Sequence, residues 1–218
     1  MALKPVILCL NQAGFPIAAK IAKKFAYQLH GRKGRVTGAD KYFENALDHA
    51  RLLFSSGTPL IGVCASGILI RAIAPLLQNK VLEPPVITVS DDGSVVIPLV
   101  GGHRGANRLA LSLAELLKAK AAVTTAGDVS LGVSIDEPPK GWCIDPESDV
   151  KKAMGCLLSG GKVKLTGEER VNATWLNDLP AGEGVEIRCT TQLIPKDLSP
   201  DITFFPKKFS LGVGCSRN

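Results

Sequence analysis

Aromatic residues are scarce in this chain. Phe, Trp and Tyr make up 5% of its 218 residues, and none occurs between Ser55 and Gly141. Proteins that grip single-stranded nucleic acid stack bases on such rings, so the scarcity counts against that class despite a net charge of +6. Zinc-finger spacing, a recognition-helix signature and a basic heptad run are missing too. The six cysteines are scattered without a C-x-x-C pair, and several stand in apolar runs, as reduced core thiols do. With three histidines and dispersed acids, no metal-ligand set stands out. There is no G-x-x-x-x-G-K-[ST] motif. Asn11-Gln12-Ala13-Gly14 occupies the place where a dinucleotide fold would carry G-x-G-x-x-G. The longest uncharged window, Leu52–Ile70, is broken by the turn cluster Ser55-Ser56-Gly57-Thr58-Pro59, so it is no membrane span. Met1–Leu10 is too short in apolar residues for a signal peptide. A soluble, cytoplasmic chain is the expectation.

The charge is uneven. Residues 1–54 carry nine basic side chains and three acidic ones, whereas the remainder carries seventeen of each. The whole excess therefore belongs to the first quarter, notably Lys20, Lys23, Lys24 and the Arg32-Lys33-Gly34-Arg35 stretch. A local basic surface is expected there, suited to attracting an anion or docking a partner.

The first half alternates strand and helix signals. Val6–Leu10, Leu60–Cys64 and Ala121–Thr125 are short apolar runs of the kind buried in parallel sheets. Helical spacing marks 15–29, 42–54, 68–77 and 107–118. Val86–Ser90 and Val95–Leu99 read as a hairpin around Asp91-Asp92-Gly93, with both acids as turn formers. This order predicts an α/β fold: a mainly parallel sheet with flanking helices, a three-layer sandwich, over residues 1–136. After the linker-like Glu137-Pro138-Pro139-Lys140-Gly141, a smaller α+β module is expected over 137–208. It has a helix at 149–158 capped by Ser148, and strands at 163–165, 185–190 and 202–205. Residues 209–218 read as the opening strand of a third domain.

Three loops follow strand ends, where open α/β sheets usually bind ligands. Ser66 and Gly67 open a helix and would turn backbone N–H groups toward an anion, with Arg71 one turn on; the bland alternative is a cap and a solvated arginine. Gly101-Gly102-His103-Arg104-Gly105, leading to Asn107, joins a tight turn, a neutral-pH proton carrier and a permanent cation; it would otherwise be a polar connector. Thr124, Thr125 and Asp128 end the next strand and would bind ligand or simply cap a helix. His30 and His49 lie in predicted helices and read as surface or satisfied histidines.

These segments resemble the cobalt-precorrin-5A hydrolase family of cobalamin biosynthesis (CbiG). The likeness rests on Gly62–Leu77, Pro84-Pro85-Val86, Asp91-Asp92-Gly93, Pro98–Ala110 and Thr124–Asp128, in order and spacing. A similar extension occurs on some precorrin-3B C17-methyltransferases. The resemblance implies hydrolysis of the ring-A lactone of cobalt-precorrin-5A with release of acetaldehyde, giving cobalt-precorrin-5B. It implies no resident cofactor or metal, because the cobalt arrives in the polycarboxylate tetrapyrrole substrate. Other pathway enzymes, or a separate C-terminal-domain protein, are the expected partners. In this reading His103, Arg104 and Asp128 are catalytic. Ser66, Gly67, Arg71, Gly101, Gly102, Gly105, Asn107, Thr124 and Thr125 bind substrate. The alternative is a non-catalytic corrinoid-binding or scaffold module.

Overall fold

A computed structural model describes residues 3–80, 82–195 and 200–207; within them the side chains of His103, Ala126 and Asp128 fall outside the description. The strand expected at 209–218 also lies outside the described residues. The chain forms two compact units, Met1–Val123 and Thr124–Asn218. The division precedes the linker-like stretch at Glu137–Gly141. Val133 and Ile135, upstream of those prolines, are already buried in the second unit's core.

The first unit is built on a seven-stranded sheet. Its strands are β1 (Val6–Cys9), β2 (Gln28–Arg32), β3 (Lys41–Phe43), β4 (Leu60–Val63), β5 (Val86–Val89), β6 (Val95–Val100) and β7 (Lys120–Ala121), in spatial order β3-β2-β1-β4-β5-β6-β7. All pairs from β3 to β5 are parallel. β6 is antiparallel to β5, and β7 follows the direction of β6.

Side-chain alternation along these strands splits the core into two layers. Ile7, Cys9, Ile61, Val63, Ile87 and Val89 pack with helices α1 (Phe15–Phe25) and α4 (Ala106–Leu117). Val6, Leu8, Leu60 and Cys64 face helices α2 (Ala46–Ser55) and α3 (Ser66–Ile73) on the other side. Thr88 stands on that second face, and its buried hydroxyl is satisfied by donating to the Cys64 carbonyl at 2.7 Å. The expected three-layer α/β architecture is thus observed.

Local chemistry places the helix ends. The predicted helix over 15–29 stops at Phe25, because Ala26 takes a left-handed conformation (φ 53°) with its N–H on the Ala22 carbonyl. Lys23 and Lys24 sit in that last turn, where cations suit the helix dipole. Leu29 therefore lies in strand β2. The helix predicted over 42–54 begins at Ala46. Asn45 caps it, its side-chain oxygen accepting from the N–H groups of Leu47 and Asp48, and Tyr42 belongs to β3. The strand predicted over 121–125 ends at Ala121, and α5 (Ala126–Leu131) follows soon after.

In the hairpin, Asp92 Oδ1 accepts from the Ser90 hydroxyl and from the Ser94 N–H and hydroxyl, which holds its carboxyl down near 2. Asp92 is a turn former, as expected. Asp91 instead accepts from Asn11 Nδ2 at 2.9 Å, tying the hairpin to the loop after β1.

The second unit holds α5, β8 (Trp142–Ile144), α6 (Val150–Leu158), β9 (Val163–Thr166), β10 (Val185–Cys189) and β11 (Ile202–Pro206). Its sheet order is β8-β11-β10-β9, with β8 antiparallel and the rest parallel. Asp149, not Ser148, caps α6 by accepting from the Lys152 N–H at 3.0 Å. Ser148 accepts from the Thr203 N–H instead, which fastens the approach to α6 onto β11. Ile187, Cys189, Ile202 and Phe204 form the core, with Trp175 edge-on to Phe204.

Candidate functional site

Gly101 leaves β6 buried and with φ 80°. A Cβ there would lie 2.7 Å from the backbone of Pro85, so only glycine fits both the turn and the packing. The Gly101 carbonyl accepts from the N–H groups of Arg104 and Ala106, and the Gly102 carbonyl from Gly105. Three hydrogen bonds thus lock a short 3-10 turn, Gly102–Arg104, with the His103 backbone at its centre. Gly105, at φ 97°, turns the chain into α4. Arg104 Nη1 donates to the Leu82 carbonyl at 2.9 Å. Asn107, 8% exposed, lies in the first turn of α4. A cavity of about 330 Å³ opens beside this loop, lined by Phe54, Leu76, Asn79, Leu82, Glu83 and Pro84.

Ser66, Gly67 and Arg71 stand at the opposite edge of the sheet. Val100 of β6 pairs with Val86, the first residue of β5, and Val96 pairs with Val89, the last. The Gly101–Gly105 turn therefore sits where β4 and β5 begin, while Ser66 follows the end of β4. Three residue steps of strand alone separate these ends by about 10 Å. The expectation that both loops share one ligand edge is corrected. The Asp91-Asp92-Gly93 hairpin reverses the chain, so the C-terminal end of β6 is not on the C-terminal edge of the parallel strands.

At that parallel edge Ser66 is the first residue of α3, and Arg71 Nη1 folds back onto the Gly67 carbonyl at 3.1 Å. A cavity of about 380 Å³ lies there between the ends of β1 and β2 and the starts of α2 and α3, with Leu10, Arg32, Glu44, Leu47, Ile68 and Arg71 in its walls. Arg32 was not singled out from the sequence. It looked like one of several cations in a basic stretch, and its position at the end of β2 depends on a strand the periodicity hid. The neighbouring loop after β1 is closed on itself: Asn11 Oδ1 accepts from the Gly14 N–H at 2.9 Å while its amide holds Asp91.

Thr124, Thr125 and Asp128 belong to the second unit. Thr125 occupies the N-cap position of α5, Asp128 lies in that helix's first turn, and Gly127 is buried against Met154.

His30 is in strand β2 rather than a helix and is 4% exposed. Its Nδ1 lies 2.9 Å from His49 Nε2 and its Nε2 3.3 Å from Gln28 Oε1. The amide oxygen can only accept, so His30 Nε2–H donates to it and Nδ1 accepts from His49. Burial first, then the neighbouring His49 and Lys41, pushes the His30 pKa down to about 4. Both histidines are satisfied, as expected. Burial likewise lifts the Cys64 thiol to about 12 and Cys189 to about 11, which makes them packing groups rather than nucleophiles.

Among the described residues, no group of three or more His, Cys, Asp or Glu side chains could hold a metal ion. No helix among them is long and apolar enough to cross a membrane.

Residues 48–128 match the family model described as Cobalamin synthesis G N-terminal. That stretch contains every site residue proposed from the sequence, from Ser66 to Asp128. A cobalt-precorrin-5A hydrolase of Salmonella typhimurium is 33% identical over 97% of this chain and 66% of its own length. One from Priestia megaterium is 26% identical over 76% of this chain and 50% of its own. The chain therefore spans between half and 66% of the length of these relatives. A crystal structure of a cobalamin biosynthesis protein G homolog from Sulfolobus solfataricus aligns over 94% of this chain and 60% of its own, at 17% identity and a TM-score of 0.45. On the family match and the curated relatives together, the chain belongs to the family of cobalamin synthesis G proteins.

Proposed function

We propose that this chain works in corrin-ring assembly as part of a cobalt-precorrin-5A hydrolase, opening the ring-A lactone and releasing acetaldehyde. The 33% identity to such an enzyme across nearly the whole chain supports the reaction. The locked turn at Gly101–Gly105 supports the place.

The chemistry asks for a base, a stabilised oxyanion and a fate for the alkoxide. Water adds to the lactone carbonyl and gives a proton to His103, an imidazole being the side chain best suited to general-base work. The ring C–O bond breaks, leaving a carboxylate and the alkoxide of the two-carbon arm. As that alkoxide becomes the aldehyde C=O, its carbon–carbon bond to the macrocycle breaks. The macrocycle keeps the electron pair and takes a proton. Arg104, anchored by one guanidinium nitrogen to the Leu82 carbonyl, is the charge nearest His103 in sequence and balances the oxyanion. Arg71 and the Ser66–Gly67 backbone lie at the other sheet edge and do not act on that carbonyl. Thr124, Thr125 and Asp128 enter no step here. Cobalt arrives with the substrate.

Cobalt-precorrin-5A added to the purified chain, with acetaldehyde assayed, tests the reading. Release that falls at least a hundredfold in His103→Ala and Arg104→Gln supports it. Substrate binding without acetaldehyde would favour a scaffold module instead.

A further inference from the structure

We infer that the cavity between β2 and α3 is a binding site for a short alkyl carboxylate, held by Arg32 and Arg71. It lies at the C-terminal edge of the parallel strands, next to β1, where the connections diverge to either side; open α/β sheets place ligands at such points. The 380 Å³ volume takes a small organic anion. Two guanidiniums line it. Among the described residues nothing engages that of Arg32, and Arg71 spends only one nitrogen on Gly67. The one wall carboxylate, Glu44, is paired with Lys33 at 2.6 Å. The cavity wall therefore carries a net positive charge.

The other walls choose the kind of anion. Leu10, Leu47 and Ile68 are apolar and suit methylene groups, which inorganic phosphate lacks. The start of α2 is not the anion holder, because Asn45 already occupies the Leu47 and Asp48 N–H groups. Planar guanidiniums pair with carboxylates through parallel hydrogen bonds. A carboxylate on a short carbon arm satisfies both features. Such an arm belongs either to a free small acid or to a larger polycarboxylate.

Calorimetric titration of the whole chain at low salt tests this with succinate, phosphate and uroporphyrin, an octacarboxylate macrocycle. Succinate or uroporphyrin should bind, more tightly than phosphate. Arg32→Gln and Arg71→Gln should each weaken binding about tenfold or more. Lys24→Gln, which removes the same charge from α1, should leave it unchanged. Ala46→Glu places a carboxylate at the cavity mouth on a helix start that tolerates acids, and it should abolish binding while the thermal midpoint holds. Uroporphyrin bound far more tightly than succinate assigns the site to an arm of a macrocycle; the reverse assigns it to a free acid. Overturning results are no binding of either carboxylate, phosphate bound as tightly as both, or binding indifferent to the two arginines. An equal loss in Lys24→Gln would overturn it too. None of these readings involves acetaldehyde, so this site and the hydrolytic turn stand or fall separately.

Discussion

At the scale of single residues, two adjacent glycines make opposite demands. Gly101 is left-handed and pressed on the Pro85 backbone, whereas the space for a Gly102 Cβ is open until Asn107 Nδ2 at 3.8 Å. Gly101→Ala should cost about 2–3 kcal/mol in urea unfolding, and Gly102→Ala within about 0.5 kcal/mol of nothing. His30 sets a pH dependence. Its folded pKa, near 4, lies below the usual 6.5, so the unfolded chain binds the proton more readily. Its contribution to stability is complete above 6.5 and is lost as pH falls toward 4. His30→Gln should flatten the denaturation midpoint across that window; an unchanged slope would exclude the His30–His49 pair as its cause. Neither the pair nor the Arg32 wall was legible in the sequence. Both depend on β2, whose residues contain no apolar run. Glycine-rich turns announce themselves by composition, but a lone arginine does not.

Elements were legible where the chain is plainly apolar or plainly periodic. β1, β4, β5, β6 and α4 emerged almost to the residue. β2 did not, because Leu29 falls four residues after Phe25 and so continues the helical stripe, although Ala26 breaks the backbone between them. β3 and β8 are three residues each, too short for any pattern to develop. The hairpin itself was visible in Asp91-Asp92-Gly93. Its consequence, that the turn after β6 faces away from the loop after β4, follows only once strand pairing is known. Two helices end on left-handed non-glycine residues, Ala26 and Lys118. Relief of that strain outweighs the extra freedom of an unfolded glycine, so Ala26→Gly and Lys118→Gly should each stabilise by about 0.5–1 kcal/mol in thermal or urea unfolding. A loss of stability in both would mean that these caps are not strained.

For the whole molecule, the basic excess of the first quarter is divided rather than pooled. Lys20, Lys23 and Lys24 ride on α1, which covers one face of the sheet, while Arg32 lines the cavity on the face of α2 and α3. The first unit owns two complete core layers, so residues 1–123 alone should unfold cooperatively and keep the succinate response. A broad, non-cooperative melt of that fragment would show the core to be insufficient. The central claim is that one turn of this unit, Gly101–Gly105, carries the hydrolytic chemistry. Acetaldehyde release from cobalt-precorrin-5A by the His103→Ala chain tests it most directly, beside the unaltered chain and with folding verified by its melt. The account predicts turnover in the unaltered chain and a loss of about a hundredfold or more in the variant. Undiminished release from His103→Ala would contradict it.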